Sequence, residues 1–278
     1  GMENIIDYIY NKKLKIKSDN QGVLFSEYTF NTKKNRLKLI ELMFEKYNVP
    51  TYYTCIQPLL TLMSHGEFTG TVVQSGEVTM IVPMIEGICI NSYNTIKRIK
   101  LGGNDITNYL GRLLRKSYGS IETKVLKDIK EKLCFTSLDY RNDLLGCLRD
   151  KNLHKKSYKL PDGKTIHVGL ERFQSVEVLF NPYLLKIESN GIDKLINESL
   201  QFCNKDYKRE LYNKIILSGG NTMFDDLGQR IKQNVVDIAP FGMKIRVKSS
   251  KIRNYSTWIG GSILSSLTSF EEVWISKD

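Results

Sequence analysis

Residues 215–224, Ile-Ile-Leu-Ser-Gly-Gly-Asn-Thr-Met-Phe, decide the fold of this 278-residue chain. The three apolar residues at the start predict a buried strand. The Gly-Gly pair predicts a turn, and Asn221 or Thr222 is the predicted N-cap of a helix that continues to Val235. Because glycine lets a ligand approach the backbone and a helix N-terminus favours anions, this order of elements is typical of a phosphate or nucleotide site. The alternative is that the sheet alone requires the two glycines.

A β-hairpin is predicted upstream of this stretch. Residues 69–73 and 78–82 are rich in β-branched side chains and predict its two strands, the second of which is expected to end at Pro83. The turn between them is Gln74-Ser75-Gly76-Glu77. The backbone N–H groups of a Ser-Gly turn can form a concavity that binds an anion, although most turns of this kind bind nothing.

Helices and strands alternate along the rest of the chain, which indicates the α/β class. Residues 4–17 are interpreted as a helix followed by a strand, and no linker or short repeat interrupts the chain. Small residues at Gly260 and Gly261 predict close packing of the last helix. The apolar spacing predicts helices over 35–47, 58–63, 124–139, 193–202 and 258–267, and strands over 23–25 and 51–55.

The composition indicates a globular protein with reduced thiols. Hydrophobic residues make up 41% and charged residues 26%, and no apolar run approaches the roughly 20 residues of a membrane span, so we expect no membrane partner. Five cysteines, an odd number with no two close in sequence, favour a cytoplasmic or nuclear location. The three histidines show no metal-ligand spacing, so no metal-ligating residues are predicted.

The net charge of +11 favours an acidic partner without naming it. Nucleic-acid binding is one interpretation, but the basic residues are spread over many short segments and no nucleic-acid motif accompanies them. A solvated, lysine-rich surface is the preferred interpretation, and we expect no nucleic-acid partner.

Several motifs, taken together, resemble the actin and actin-related protein family, and the similarity extends with small gaps from about Glu3 to the end of the chain. Tyr-Ser-Thr-Trp-Ile-Gly-Gly-Ser-Ile-Leu at 255–264 is similar to the family's C-terminal signature, and Leu-Ser-Gly-Gly-Asn-Thr-Met-Phe at 217–224 to its adenosine loop. The other matching segments are 128–134, 159–163, 171–173 and 273–277.

The resemblance implies the actin/Hsp70-type ATPase fold, a ribonuclease H-like α/β architecture that closes over ATP and a divalent metal. Relative to the family, the chain lacks the N-terminal phosphate loop and subdomain 2, so an N-terminally truncated version of the fold is expected. The implied division is 3–64 with 256–278 as a partial subdomain 1, 65–101 with 188–255 as subdomain 3, and 102–187 as subdomain 4.

The resemblance also implies a cofactor, ATP or ADP with Mg²⁺ or Ca²⁺, which we expect to be bound weakly or not at all. Gln57 matches the family's water-positioning residue and is the one catalytic residue carried over to a degenerate site. The implied cofactor-binding residues are Ser75, Gly76, Glu77, Gly103, Lys130, Glu131, Gly219, Gly220, Met223 and Phe224.

Departures from the family pattern argue against ATP hydrolysis. The family's Asp-Ser-Gly-Asp-Gly becomes Gln74-Ser75-Gly76-Glu77 with one residue lost, and a neutral amide supplies less charge for ordering the water shell of a metal. Met80 stands where the family has a water-arranging His, and Asn254 where it has a Lys beside the adenine. Since phosphoryl transfer depends on positioning and charge stabilisation, we expect negligible hydrolysis.

Protein partners are implied at an apolar cleft between subdomains 1 and 3, which suits a partner helix. The alternative is that the cleft residues only pack one subdomain against the other. We expect a divergent actin-related protein that is a structural subunit of a cytoskeletal or chromatin complex and forms no conventional filament. The alternative function is that of a fragment of a filament-forming, ATP-hydrolysing actin-like protein. The implied cleft residues are Met63, Gly66, Phe68, Ile88, Leu264, Leu267 and Val273.

Overall fold

The computed structural model describes residues 1–90 and 94–277. The chain divides into two compact units, Gly1–Gly66 with Thr257–Asp278, and Glu67–Ser256. Each unit combines a β-sheet with helices, which confirms the predicted α/β class. The three subdomains implied by the resemblance stay a prediction. Among the described residues, no helix has both the length and the apolar character needed to cross a membrane.

The α-helices are labelled in chain order, and short π and 3-10 helices connect several of them. The α-helices are α1 Met2–Tyr8, α2 Lys33–Glu41, α3 Gln57–Met63, α4 Gly103–Tyr118, α5 Thr123–Leu133, α6 Tyr140–Arg149, α7 Glu171–Gln174, α8 Ile192–Gln201, α9 Lys205–Asn213, α10 Leu227–Ile238 and α11 Ser256–Ser265. The π segments are Ile9–Leu14 and Leu42–Lys46, and the 3-10 segments are Ser18–Asn20, Glu177–Leu179, Pro182–Leu185, Gly220–Met223, Arg253–Tyr255 and Thr268–Val273.

Within the described residues, the strands form one sheet in the first unit and two in the second. They are β1 Val23–Glu27, β2 Thr51–Ile56, β3 Gly70–Ser75, β4 Thr79–Ile85, β5 Ile88–Cys89, β6 Lys97–Ile99, β7 Lys156–Lys159, β8 Thr165–Val168, β9 Ile215–Ser218, β10 Val247–Lys248 and β11 Ile275–Ser276.

The first unit is built on the three-stranded sheet β1-β2-β11. β1 lies parallel to β2, and β11 is antiparallel on the other edge of β2. Helix α3 follows β2 directly, with proline at its first turn, where a missing N–H costs nothing. Helix α11 approaches α3 so closely that a Cβ at Gly260 would lie 1.7 Å from the carbonyl oxygen of Leu60. Only glycine permits this contact, in agreement with the close packing predicted for the last helix.

The second unit is built on a sheet with the order β10-β9-β3-β4-β5, to which β6 adds by pairing with β4. β3 and β4 form the predicted antiparallel hairpin, and β9 lies parallel to β3. The strands are apolar and buried, as expected for a sheet covered on its faces. Helices α4, α8 and α10 contribute Ile106, Ile196 and Ile231 to the same core as the strands. The hairpin turn and the end of β9 therefore stand on rigid elements.

Two element predictions are wrong, one for the strand expected before residue 17 and one for the end of β4. Residues 9–14 continue as a π-helix and not as a strand, because residues 11–17 are all exposed and the backbone bonds locally. Strand β4 passes through Pro83 and ends at Ile85. Thr71 lies opposite Pro83, and its N–H donates to the carbonyl of Lys214 on the side of β3 that faces away from β4. The β3–β4 ladder therefore requires no hydrogen bond from a backbone N–H at Pro83.

Two further predictions fail where tertiary contacts override the apolar spacing. Helix α5 ends at Leu133, not at residue 139, and Asp139 caps the next helix by accepting a bond from the backbone N–H of Asn142. After β9, residues 220–223 form a single 3-10 turn, and the α-helix begins only at Leu227. Neither Asn221 nor Thr222 is the N-cap, so no α-helix begins at the Gly-Gly turn.

Candidate functional site

The second unit contains a cavity of about 670 Å³. It is lined by the hairpin turn, the start of α4 and the last turns of α5. The loop after β9 and Asn254 complete the lining. The lining residues are Gly76, Glu77, Gly103, Asn104, Lys127, Lys130, Glu131, Lys132, Cys134, Gly220, Asn221, Met223, Phe224, Asp225 and Asn254.

The cavity brings together most of the residues that the sequence singled out for a cofactor. All of the ten predicted cofactor residues except Ser75 and Gly219 line it. Sequence reasoning did not assign Asn104, Lys127, Lys132, Cys134 or Asp225 to the site. Each of these residues lies within three positions of a predicted residue, and this proximity is the signal that would have found it. Whether the lining residues bind a ligand stays a prediction.

The hairpin turn is held by hydrogen bonds within the protein. The Gly76 N–H donates to the carbonyl of Val78 at 3.1 Å, which closes the turn. The Gly76 carbonyl accepts from the N–H of Gly103 and from Asn221 Nδ2, both at 2.8 Å. Both backbone groups of Gly76 are therefore engaged, and the turn is tied to α4 and to the Gly-Gly loop.

Ser75 faces the interior and not the cavity. Its hydroxyl lies 2.7 Å from Oγ1 of Thr79, which in turn donates to the carbonyl of Leu101 at 2.9 Å. The Ser75 side chain is fully buried. Ser75 therefore holds the base of the hairpin and supports the cavity from behind.

Lys130 places a buried positive charge on the cavity wall. Its side chain is only 6% exposed, and its Nζ donates to the carbonyl of Gly103 at 3.0 Å. Burial lowers the pKa of Lys130, because desolvation disfavours the charged form. Among residues 1–90 and 94–277, no carboxylate lies within 4.0 Å of this ammonium. An anionic group in the cavity would supply the missing counter-charge.

The Gly-Gly loop requires glycine at its first position. Gly219 has a φ of +94°, and a Cβ there would lie 2.3 Å from the carbonyl oxygen of Ser75. Gly220, by contrast, has nothing within 4 Å of the place where a Cβ would stand, and the same holds for Gly76. These two glycines leave open space at the cavity wall, so a ligand could approach the backbone there.

Arg253 is a buried residue that sequence reasoning missed. Its guanidinium donates to the carbonyl of Thr222 through Nε at 2.9 Å and also through Nη2, and to the carbonyl of Ser250 through Nη1 at 2.8 Å. Its own carbonyl accepts from the Gly219 N–H at 3.3 Å. Burial lowers the pKa of Arg253. The residue pins the Gly-Gly loop from behind, and no periodic pattern in the sequence marks it.

A backbone connection joins two walls of the cavity. Phe135, just after α5, forms an isolated parallel bridge with Asp225, just after the Gly-Gly loop. The Thr136 N–H also donates to the carbonyl of Asp225 at 3.0 Å. Cys134, which precedes Phe135, lines the same wall, and desolvation raises the pKa of its buried thiol to about 11. This wall therefore offers no reactive thiolate at neutral pH.

Two of the positions that depart from the family pattern lie in the hairpin strands, and a third, Asn254, lines the cavity. Gln74 pairs with Met80 across the β3–β4 ladder. Met80 is 1% exposed, so its thioether is part of the core and can neither hold nor exchange a proton with solvent. In the part of the chain that the structure describes, no group of three or more His, Cys, Asp or Glu side chains could hold a metal ion.

Gln57 lies in the first unit, and the predicted cleft residues are divided between the two units. In the first unit, Gln57 begins α3, Met63 is buried in the core, and Leu267 and Val273 are exposed. Gly66 is also exposed there, and Leu264 packs against the small core that contains Met63. In the second unit, Phe68 and Ile88 are both exposed. The catalytic role of Gln57 and the partner cleft stay predictions.

Comparison with known proteins gives a match over nearly the whole chain. A family model described as Actin matches residues 1–124 and 115–278. The chain is also similar to "Putative actin-29" of Dictyostelium discoideum, with 41% identity over 285 aligned positions that cover 99% of this chain and 73% of that protein. Both matches include the hairpin, the Gly-Gly loop and the C-terminal helix.

Proposed function

This chain belongs to the actin family, and we propose that it is a divergent member that serves as a structural subunit of a cytoskeletal or chromatin complex. We further propose that it binds adenine nucleotides weakly and hydrolyses ATP negligibly. Members of the family generally bind ATP or ADP with a divalent metal. The proposal concerns how far this chain keeps that property.

The nucleoside end of the cavity supports weak binding. Phe224 is buried beside the half-exposed Met223, so the two offer an apolar surface for a base. Glu131 is exposed on the wall and can accept a hydrogen bond from a ribose hydroxyl. Lys130 supplies one buried cation next to Gly103. These groups fit a nucleoside and one nearby phosphate.

The observation that carries the proposal is the closed state of the hairpin turn. The Gly76 N–H already donates to Val78, so it is not free to bind a phosphate. Glu77 lines the cavity with an exposed carboxylate, and its negative charge opposes a polyphosphate. The turn therefore does not fit the metal-bound end of a triphosphate, although the opposite end of the cavity fits a nucleoside.

Negligible hydrolysis follows from the hairpin strands. The neutral amide of Gln74 carries no charge with which to order the water shell of a metal. The buried thioether of Met80 cannot arrange an attacking water by proton exchange. Since each preorganised donor is worth about 10²–10³ in rate, we expect turnover several decades below that of an intact site.

The structural role is supported by apolar side chains that remain uncovered. Ile88 is 72% exposed, and Phe68, Leu267 and Val273 are also exposed. Phe68 and Ile88 belong to the second unit and Leu267 and Val273 to the first, and on each unit exposed large apolar side chains are candidates for contact with a partner. We propose that these residues contact protein partners and that the chain forms no conventional filament.

The proposal can be tested by calorimetric titration of the protein with adenosine, ADP and ATP, each with Mg²⁺. Because the hairpin turn contributes little to the phosphates, the three dissociation constants should agree within about tenfold, a difference of about 1.4 kcal/mol. Lys130→Met should weaken the binding of ADP and ATP more than that of adenosine. Lys124→Met, which removes the same charge from an exposed position on α5, is the control.

ATP bound several decades more tightly than adenosine would show that a working phosphate clamp exists, and the proposal would fail. A parallel turnover and pelleting assay tests the rest of the proposal. We expect no phosphate release above background and no sedimentation under polymerising salt. Pelleting coupled to stoichiometric hydrolysis would support a filament-forming ATPase in its place.

A further inference from the structure

Residues 8–17, Tyr-Ile-Tyr-Asn-Lys-Lys-Leu-Lys-Ile-Lys, form a strongly basic segment of the first unit. It contains Lys12, Lys13, Lys15 and Lys17, and no acidic residue. The basic segment comprises the end of α1, the π-helix and the three residues that follow it. Its charge is much denser than the average for the chain.

The basic segment is anchored at one point and otherwise projects into solvent. Tyr10 is buried and stacks on Tyr47, with ring centroids 5.7 Å apart. Beyond this anchor, every residue from 11 to 17 is exposed. Leu14 is 54% and Ile16 is 42% exposed, so two large aliphatic side chains alternate with cations in water.

The cations of the basic segment have no carboxylate partners. In the described parts of the chain, none of the four lysines lies within 4.0 Å of an acidic side chain. Of the acidic residues nearby in sequence, Glu3 and Asp7 are held by Lys46 at 3.0 and 3.7 Å, and Asp19 lies within 4.0 Å of none of the four lysines. Lys13 Nζ lies 5.5 Å from the centre of the Tyr8 ring, which keeps its charge beside an exposed aromatic surface.

We propose that the basic segment binds the surface of an anionic lipid bilayer. A partner has to accept four positive charges and two aliphatic side chains together, and an anionic membrane interface does both. The segment is exposed without interruption from residue 11 to residue 17, and a fluid surface can adapt to such a stretch. Lysine stems can lie along the apolar boundary while their ammonium groups reach lipid phosphates. The proposal departs from the expectation of no membrane partner, which was based on the lack of a span, because surface binding needs no span.

The test is sedimentation of the 278-residue protein with phosphatidylcholine vesicles that contain or lack about 30 mol% phosphatidylserine. Binding is expected only with phosphatidylserine and should fall as salt is raised. Each lysine near an anionic surface contributes about fivefold in partitioning, so replacing all four with Gln should weaken binding by on the order of a hundredfold or more. Leu14→Ser with Ile16→Ser should weaken binding but leave its salt dependence unchanged.

The matched control removes the same charge from another exposed basic region. Replacing Lys151, Lys155, Lys156 and Lys159 with Gln should leave vesicle binding within a few-fold of the parent protein. Equal loss in the two quadruple variants would reduce the effect to net charge and overturn the proposal. So would equal binding to both kinds of vesicle. If polyglutamate or RNA binds the basic segment and vesicles do not, the partner is an acidic polymer and the lipid proposal is wrong.

Discussion

Replacing Arg253 with Met tests whether this buried arginine holds the Gly-Gly loop in place. The substitution removes the donors to the carbonyls of Thr222 and Ser250. Thr222 is fully buried, so its carbonyl cannot turn to water, and a buried unsatisfied acceptor costs about 1–3 kcal/mol. Ser250 is half-buried and can be hydrated. Relief of the buried guanidinium offsets part of the loss, so we expect the free energy of unfolding to fall by about 1–2 kcal/mol.

The assay is urea denaturation followed by circular dichroism, together with adenosine titration. Both tryptophans, Trp258 and Trp274, lie in the first unit, so tryptophan fluorescence reports separately on the unit that lacks Arg253. The fluorescence transition should move less than the dichroism transition, and adenosine affinity should fall about tenfold as the loop shifts. Arg246→Met, at an exposed position, should stay within about 0.5 kcal/mol of the parent protein. A loss below about 1 kcal/mol with unchanged adenosine affinity would refute the reasoning.

Three further predictions concern other parts of the second unit. Gly219→Ala should destabilise the protein by at least about 2 kcal/mol in urea denaturation, because φ at Gly219 is positive and a Cβ there would clash with the Ser75 carbonyl. The control, Gly220→Ala, should change stability by less than about 1 kcal/mol, and equal effects of the two substitutions would contradict the prediction. Burial raises the pKa of Glu177 from 4.5 to about 7, so the folded state retains a proton that the unfolded chain releases. The free energy of unfolding should therefore fall by about 3 kcal/mol as pH rises from about 4.5 to 7, and Glu177→Gln should remove this fall; the same pH dependence in the variant would rule Glu177 out. The thiol of Cys134 has a pKa of about 11, so about one part in 10³ of it should be thiolate at pH 8. Iodoacetamide should therefore label Cys134 only after the protein is unfolded, and rapid labelling of the native protein would contradict the burial of this thiol.

The strands of the second unit could be predicted because their side chains are buried on both faces. Such strands are continuous runs of Val, Ile and Thr, and the runs at 69–73, 78–82 and 215–217 stand out from the surrounding polar sequence. The Gly-Gly turn could be predicted for a local reason as well, since Gly219 needs a positive φ. The actin-type fold follows from these local signals together with the matching motifs.

The start of the helix after the Gly-Gly turn could not be predicted from local sequence. Asn221 and Thr222 are good N-cap residues, but Asn221 is used by the hairpin carbonyl of Gly76. The Thr222 carbonyl is held by Arg253, which lies 31 residues further along the chain. Local preference indicated an α-helix here, and two tertiary hydrogen bonds impose a 3-10 turn in its place.

The end of α5 was misjudged for a similar reason. Leu138 continues the apolar spacing of the helix, so the pattern extends it to residue 139. The backbone at Phe135 and Thr136 instead pairs with Asp225, almost ninety positions away in the chain. Eight cavity residues could be named in advance from the resemblance and its matching motifs, but the contacts that hold them could not.

The pairing of residues 135 and 136 with Asp225 also has a mechanical consequence. It couples the strip that follows α5 to the strip that follows the Gly-Gly loop, so the two walls should shift as one body. Adjustment of the cavity to a ligand then has to come from the opposite side, where the hairpin turn meets α4. In deuterium-uptake measurements, the amide of Thr136 should already exchange slowly without a ligand and change little on binding. A larger ligand-dependent slowing of amide exchange is expected at Gly103. Its N–H donates a hydrogen bond to the carbonyl of Gly76, and this bond joins the two parts of the wall that can still move.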